Sequence, residues 1–375
     1  MTAPPFSWFS FDIVYFFQSP KPFFSPELFS KLFTFVAFTI INGTSPPYIC
    51  TESTKEGLTV NVTIFLIRLL VLAVIFVNGW TDAPNAIATA VGSGAMGFRR
   101  AAALAAVCNF AGAALACLLF PAVAATVSSL VTFPHPQAAL TALCAAMLSI
   151  VAWAVAAWRF GLPTSESHAL LAGLSGAALA LGGSGAALNG AAWARTLTGL
   201  ALSLPAGALA ARTFRGWLDR HTCNAIAWQR RAAGAMALLH GVQDGQKFLA
   251  LMLMADDLGG AAPSPALPLL ILTASTMAAG TAMGGRPIVE KVGSQLAVLT
   301  PKEGLAADAG AGLVLAVGAA LGLPLSTTHV KVAAVCGAGR QPNLRAAGQI
   351  AGAWLLTFPC CGALSFALTR LMLAG

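Results

Sequence analysis

The stretch Asn78-Gly79-Trp80-Thr81-Asp82-Ala83-Pro84-Asn85 returns 162 residues later as His240-Gly241-Val242-Gln243-Asp244-Gly245-Gln246-Lys247. Each copy sets a carboxylate, with polar neighbours, inside an otherwise apolar run. A second pair keeps nearly the same spacing, 161: Gly161-Leu162-Pro163-Thr164-Ser165-Glu166-Ser167-His168 lies over Gly322-Leu323-Pro324-Leu325-Ser326-Thr327-Thr328-His329. Two unrelated motifs sharing one offset identify a duplicated unit of about 160 residues. If each unit crosses a membrane an odd number of times, the two copies are inverted.

Composition places that duplication in a bilayer. Of 375 residues, 57% are hydrophobic and 9% charged, and mean hydropathy is +0.78. A soluble domain carries roughly a quarter charged residues, so a soluble fold is excluded, and apolar content this high excludes a disordered chain. The expected class is an all-α membrane protein of about ten spans, each needing about 20 mostly apolar residues. The net charge of +8 does not point to nucleic acid, because the basic residues fall in short clusters between apolar stretches, as topology signals do.

Apolar segments are predicted at about 62–81, 101–125, 138–158, 168–182 and 190–211, and again at about 232–255, 266–283, 304–322, 330–338 and 346–373. They divide the chain into a first repeat, 58–211, and a second, 232–375. Between them, Arg212 to Arg231 holds five arginines against the single acid Asp219 and is read as a basic cytoplasmic loop. Residues 1–57 carry eleven of the 22 phenylalanines, both tyrosines and only two alanines. That composition, punctuated by prolines, marks them as an N-terminal extension outside the functional fold, either disordered on the membrane surface or an upstream translation artefact. The eight cysteines lack metal-ligand spacing, so neither a disulfide framework nor a structural zinc site is expected.

The motifs carry the chemistry. Asp82 with Asn78 and Asn85, and Asp244 with His240 and Lys247, are spaced to share one helical face. Arg68 precedes Asp82 by 14 residues, about 21 Å along a continuous helix, which sets Asp82 near the midplane when Arg68 is at the headgroups. A carboxylate there is a functional-site hypothesis by default. The glycines and Pro84 suggest interrupted helices whose freed backbone groups face a ligand. The second motif places Ser165 and Ser167, or Ser326, Thr327 and Thr328, at the opening of an apolar helix, where hydroxyls and free N–H groups suit an oxyanion. His168 and His329 are read as structural. Glu166 stands where the other copy has Thr327, and is a candidate cation ligand or titrating group.

These residues resemble the inorganic phosphate transporter family of cation-coupled phosphate permeases. The resemblance covers Leu58 to Gly375. Asp82-Ala83-Pro84-Asn85-Ala86 looks like the family's first Asn/Asp signature, 240–247 is similar to its second, and 323–329 matches its hydroxyl-rich hairpin. It implies an inverted-repeat fold with re-entrant hairpins, binding phosphate between the halves and driven by sodium or protons. Carried onto this chain, substrate binding falls to Asp82, Asn85, Ser165, Ser167, Asp244, Gln246, Lys247, Ser326, Thr327 and Thr328. Cation coupling falls to Asp82, Asn85, Glu166 and Asp244. Glu166 in place of a hydroxyl, and Gln243 where the family often has Asn, leave the driving ion and the choice of phosphate over sulfate open.

The expected activity is therefore symport by alternating access, with no covalent step, no cofactor and no metal beyond a transported sodium. A channel would line a continuous path with polar groups, whereas these concentrate in two clusters. Neither HExxH nor GxSxG supplies an enzyme's machinery. The expected setting is the lipid bilayer of a bacterial inner membrane, the chain alone or as a homodimer, without nucleic acid.

Overall fold

The computed structural model describes residues 52–119, 122–133, 136–182, 187–260 and 267–374. Most of the extension assigned to 1–57 lies outside these residues; its last six, 52–57, belong to the first helix. Among the described residues the chain is helical, the one β-contact being an isolated bridge between Val131 and Leu188. The first repeat comprises α1 (Glu52–Thr81), a 3-10 turn (Ala83–Ile87), α2 (Ala88–Gly92), α3 (Phe98–Leu119), α4 (Ala122–Ser128), α5 (Pro136–Arg159), α6 (Glu166–Gly182) and α7 (Gly190–Asp219). The second comprises α8 (Ala225–Leu258), α9 (Leu267–Met283), α10 (Arg286–Glu290) running into a π turn (Lys291–Gln295), α11 (Pro301–Ala320), α12 (Thr327–Ala338) and α13 (Leu344–Ala374).

Local chemistry sets the boundaries. Asn189, Asn224 and Ser326 cap α7, α8 and α12 with side-chain oxygens, and Thr300 with Glu303 forms a capping box ahead of α11. Gly161 and Gly322, equivalent in the two repeats, turn the chain at φ 63° and 66° before the Pro163 and Pro324 hairpins, a region where a side chain would be strained. The basic stretch 212–231 is not a loop. It is the end of α7 and the start of α8, joined by 220–224, because both helices run on beyond their apolar cores.

Interruption occurs in one copy only. α1 stops at Thr81, since Pro84 lacks an N–H and its ring obstructs the carbonyl four residues back. The corresponding residue in the second copy is Gln246, and α8 runs unbroken through Asp244 for 34 residues. The expectation of a break in both copies thus fails for the second.

Among the described residues five stretches are long and apolar enough to cross a bilayer: Val62–Gly92, Ala138–Arg159, Gly190–Asp219, Pro301–Ala320 and Leu344–Ala374. Leu267–Met283 with Arg286–Gln295, bent by 67°, makes a sixth if the pair is one span. The ten expected spans include helices that this measure of length and composition passes over: α8 carries charges mid-helix, and α12 has 12 residues.

Exchanging the repeats maps the packing onto itself. α3 lies against α8 and α9 against α1; α6 against α13 and α12 against α7; α5 against α13 and α11 against α7. Close approach is carried by glycines. A Cβ at Gly79 would collide with the Met277 carbonyl and one at Gly241 with the Asn109 carbonyl, the same contact made twice. Helix direction completes the relation. Arg68 of α1 pairs with Asp256 of α8 at 2.6 Å, Asn78 with Asp244 at 3.0 Å, and Asp82 faces His240 at 3.9 Å. Numbers that rise along α1 fall along α8, so the equivalent helices are antiparallel.

Candidate functional site

The break after Thr81 brings Asp82 to the tip of the second hairpin. Its Oδ1 accepts from Asn85 Nδ2 at 2.8 Å and from the Thr328 hydroxyl, and its Oδ2 accepts from Thr327 Oγ1 at 3.1 Å. Thr328 Oγ1 also lies 3.1 Å from the Thr164 carbonyl oxygen of the first hairpin. Every side chain in this group is buried.

The other half repeats the plan with different residues. Asp244 Oδ1 is 2.6 Å from Lys247 Nζ, which also donates to Ser167 Oγ at 2.7 Å and to the Leu325 carbonyl at 2.8 Å. Ser167 Oγ donates to the same carbonyl at 3.2 Å. Under the 161–162 offset, Asp82 corresponds to Asp244, Asn85 to Lys247, Thr328 to Ser167 and Thr164 to Leu325. The hairpin of each repeat therefore reaches the aspartate of the other, directly at Asp82 and through Lys247 at Asp244.

Between the halves the two hairpins meet. Ser165 Oγ and Ser326 Oγ are 2.8 Å apart and accept from the His168 and His329 amides, capping α6 and α12. Two helix N-termini thus converge where hydroxyls are already gathered, an arrangement suited to an oxyanion. His168 and His329 stack edge-on at 4.5 Å, with Phe358 and Trp354 against them. Both rings are buried in this aromatic packing.

Nine of the ten sequence-derived substrate positions converge. The tenth, Gln246, turns away, its Oε1 accepting from the Val123 amide at 3.0 Å and its amide bonding its own helix. Glu166 is buried within electrostatic reach of Asp82, Asp244 and Lys247, with Thr81 as its hydroxyl neighbour. Asp82, Asp244 and His240 each offer an atom within 4.8 Å of the others, so the centre could hold a cation. His240 Nε2, 3.4 Å from Asp244, has no hydrogen bond, and its Nδ1 faces Asn109.

One group escaped the sequence reading. Lys331 and Asp308 form a buried ion pair, with Thr89 Oγ1 donating to Asp308 at 2.7 Å and Lys331 reaching the Ala86 carbonyl at 3.2 Å. The signal that found Asp82, a charge in an apolar run, was present here too.

Fold and site together define a helical integral membrane protein whose two antiparallel repeats enclose one buried polar centre, the architecture of a transporter. The chain belongs to the phosphate transporter family, whose model matches residues 78–231 and 225–365. Among curated relatives, it is 33% identical over 333 residues to a probable low-affinity inorganic phosphate transporter of Mycobacterium bovis, covering 80% of this chain and 76% of that one. It is 30% identical over 312 residues to one of Bacillus subtilis, covering 78% and 92%. A solved structure described as the sodium-dependent phosphate transporter superposes with a TM-score of 0.74 at 19% identity, over 84% of this chain and 99% of that one, a likeness of fold.

Proposed function

We propose that the chain is a secondary active transporter that moves inorganic phosphate across a bacterial inner membrane, coupled to sodium or protons by alternating access. The observation that carries this reading is the apposition of Asp82 and Asp244 with the hydroxyl-lined N-termini of α6 and α12. Two buried carboxylates repel an oxyanion in a low-dielectric site unless cations neutralise them first. Cation binding thereby creates the anion site, and Ser165, Ser167, Ser326, Thr327 and Thr328 complete it. The antiparallel repeats support an inverted arrangement in which one repeat rocks against the other around the fixed centre. The arginines at 212–231 support a cytoplasmic connection between them. The name of the structural neighbour favours sodium as the driving ion.

The test is uptake of radiolabelled phosphate and sulfate into proteoliposomes under separately imposed sodium and proton gradients. Concentrative phosphate uptake under one of these gradients is expected. Preferential uptake of sulfate would reassign the substrate, and downhill flux insensitive to either gradient would mean a channel.

A further inference from the structure

The two halves of the centre share a plan but not a charge. In the first, Asn85 stands three residues beyond Asp82; in the second, Lys247 stands three beyond Asp244. The Lys247 ammonium lies 2.6, 2.7 and 2.8 Å from a carboxylate oxygen, a serine hydroxyl and a backbone carbonyl, which use all three of its protons. Three oxygens of that kind converging on one buried point are what a dehydrated hard cation takes. The equivalent oxygens of the first half belong to Asp82, Thr328 and Thr164, and Asn85 there brings an amide without charge. Its buried Oδ1 has no hydrogen-bond partner.

We infer that the Lys247 ammonium is the resident cation of the Asp244 half, so that this half takes no coupling cation while the Asp82 half remains open to one. The inference rests on the transporter reading above. It follows from occupancy: an ion at Asp244 would have to share three oxygens with a covalently tethered charge, and the desolvation of a second cation there would go uncompensated. Glu166 occupies the hairpin position that corresponds to Thr327, which donates to Asp82, and it feels both aspartates, so the two repeats differ by one added base and one added acid.

Radioactive sodium binding to the purified, detergent-solubilised chain, counted per polypeptide at saturating sodium, tests this. Lys247→Asn, which imports the residue of the first half, and Glu166→Thr/Lys247→Asn, which imports both, are expected to bind one sodium more than the wild type. An unchanged count in a folded variant overturns the inference. The charge-neutral pair Asp244→Asn/Lys247→Met covers failure of the first variants to fold. Its count is expected to equal the wild type's, and a loss of one ion would show that Asp244 already held sodium and overturn the inference. Because the readout is bound sodium, failure of phosphate uptake by the wild type would remain a separate result.

Discussion

Asp82 and Asp244 differ in what each leaves behind when neutralised. Both carry charge into the buried centre, so Asp82→Asn and Asp244→Asn are each expected to lower gradient-driven phosphate uptake by about 100-fold or more in proteoliposomes, about 3 kcal/mol, the first by removing the carboxylate open to a coupling cation and the second by removing the partner of Lys247. Asp244→Asn additionally strands the Lys247 ammonium, and removing one partner of a buried pair costs about 3–5 kcal/mol. It should therefore melt well below Asp82→Asn in a thermal unfolding assay. Wild-type uptake in either variant would sink the coupling scheme. Glu166 lies within electrostatic reach of Asp82, Asp244 and Lys247, beside Thr81. Ionised, it repels the anion, so it is compatible with substrate only when protonated or cation-bound. Wild-type uptake should decline as pH rises, and Glu166→Thr should flatten that decline in initial rates from about pH 5.5 to 8.5 at several sodium concentrations. Identical profiles would make Glu166 a structural residue.

Helix contacts in this chain depend on positions that admit no side chain. Gly79 in α1 meets the α9 backbone and Gly241 in α8 meets the α3 backbone. Backbone cannot move aside cheaply, so Gly79→Ala and Gly241→Ala should each destabilise by about 1–3 kcal/mol or more, as overpacking does. Gly348→Ala in α13, which faces open space, should stay within about 0.5 kcal/mol of wild type. Chemical or thermal unfolding in detergent reads the difference, and tolerance of Ala at 79 and 241 would refute the close approach. The Lys331–Asp308–Thr89 group fixes α12 to α11 and α2. Its counterparts in the other repeat are Leu170, Met147 and Leu251, all buried. Lys331→Leu alone should cost about 3–5 kcal/mol by stranding Asp308, whereas Thr89→Leu/Asp308→Met/Lys331→Leu should recover most of it. A triple variant no more stable than the single one would mean that the ions are irreplaceable at that position.

Across the whole molecule the repeats do not stand side by side. α3 lies on α8, α9 on α1, α6 on α13 and α12 on α7, so each repeat supplies the surface that the other buries. The link between them is the short connection 220–224. Fragments 1–221 and 222–375, co-expressed with a tag on one, are accordingly expected to co-purify and to transport phosphate, while neither alone is recovered as a stable species. A single fragment purifying as a folded monomer would contradict the interlocked packing.

Much of this was already legible along the chain. The apolar runs mark ten of the helices to within a few residues of their cores, because a bilayer demands long stretches without charge. The 161–162 offset discloses the duplication, and with it nine of the candidate positions that converge, because both copies present polar side chains to one centre. Tertiary structure alone decided the rest. Pro84 breaks α1, but Gln246 at the equivalent place leaves α8 whole, and only the packed helix shows Gln246 turned toward α4. Lys331 and Asp308 meet from separate helices, 23 residues apart, so neither spacing nor periodicity announces the pair. Most of all, the sequence aligns Thr328 with Ser167 and Asn85 with Lys247 but is silent on which hairpin serves which aspartate. That exchange between repeats is a property of antiparallel packing, and a linear offset has no term for it.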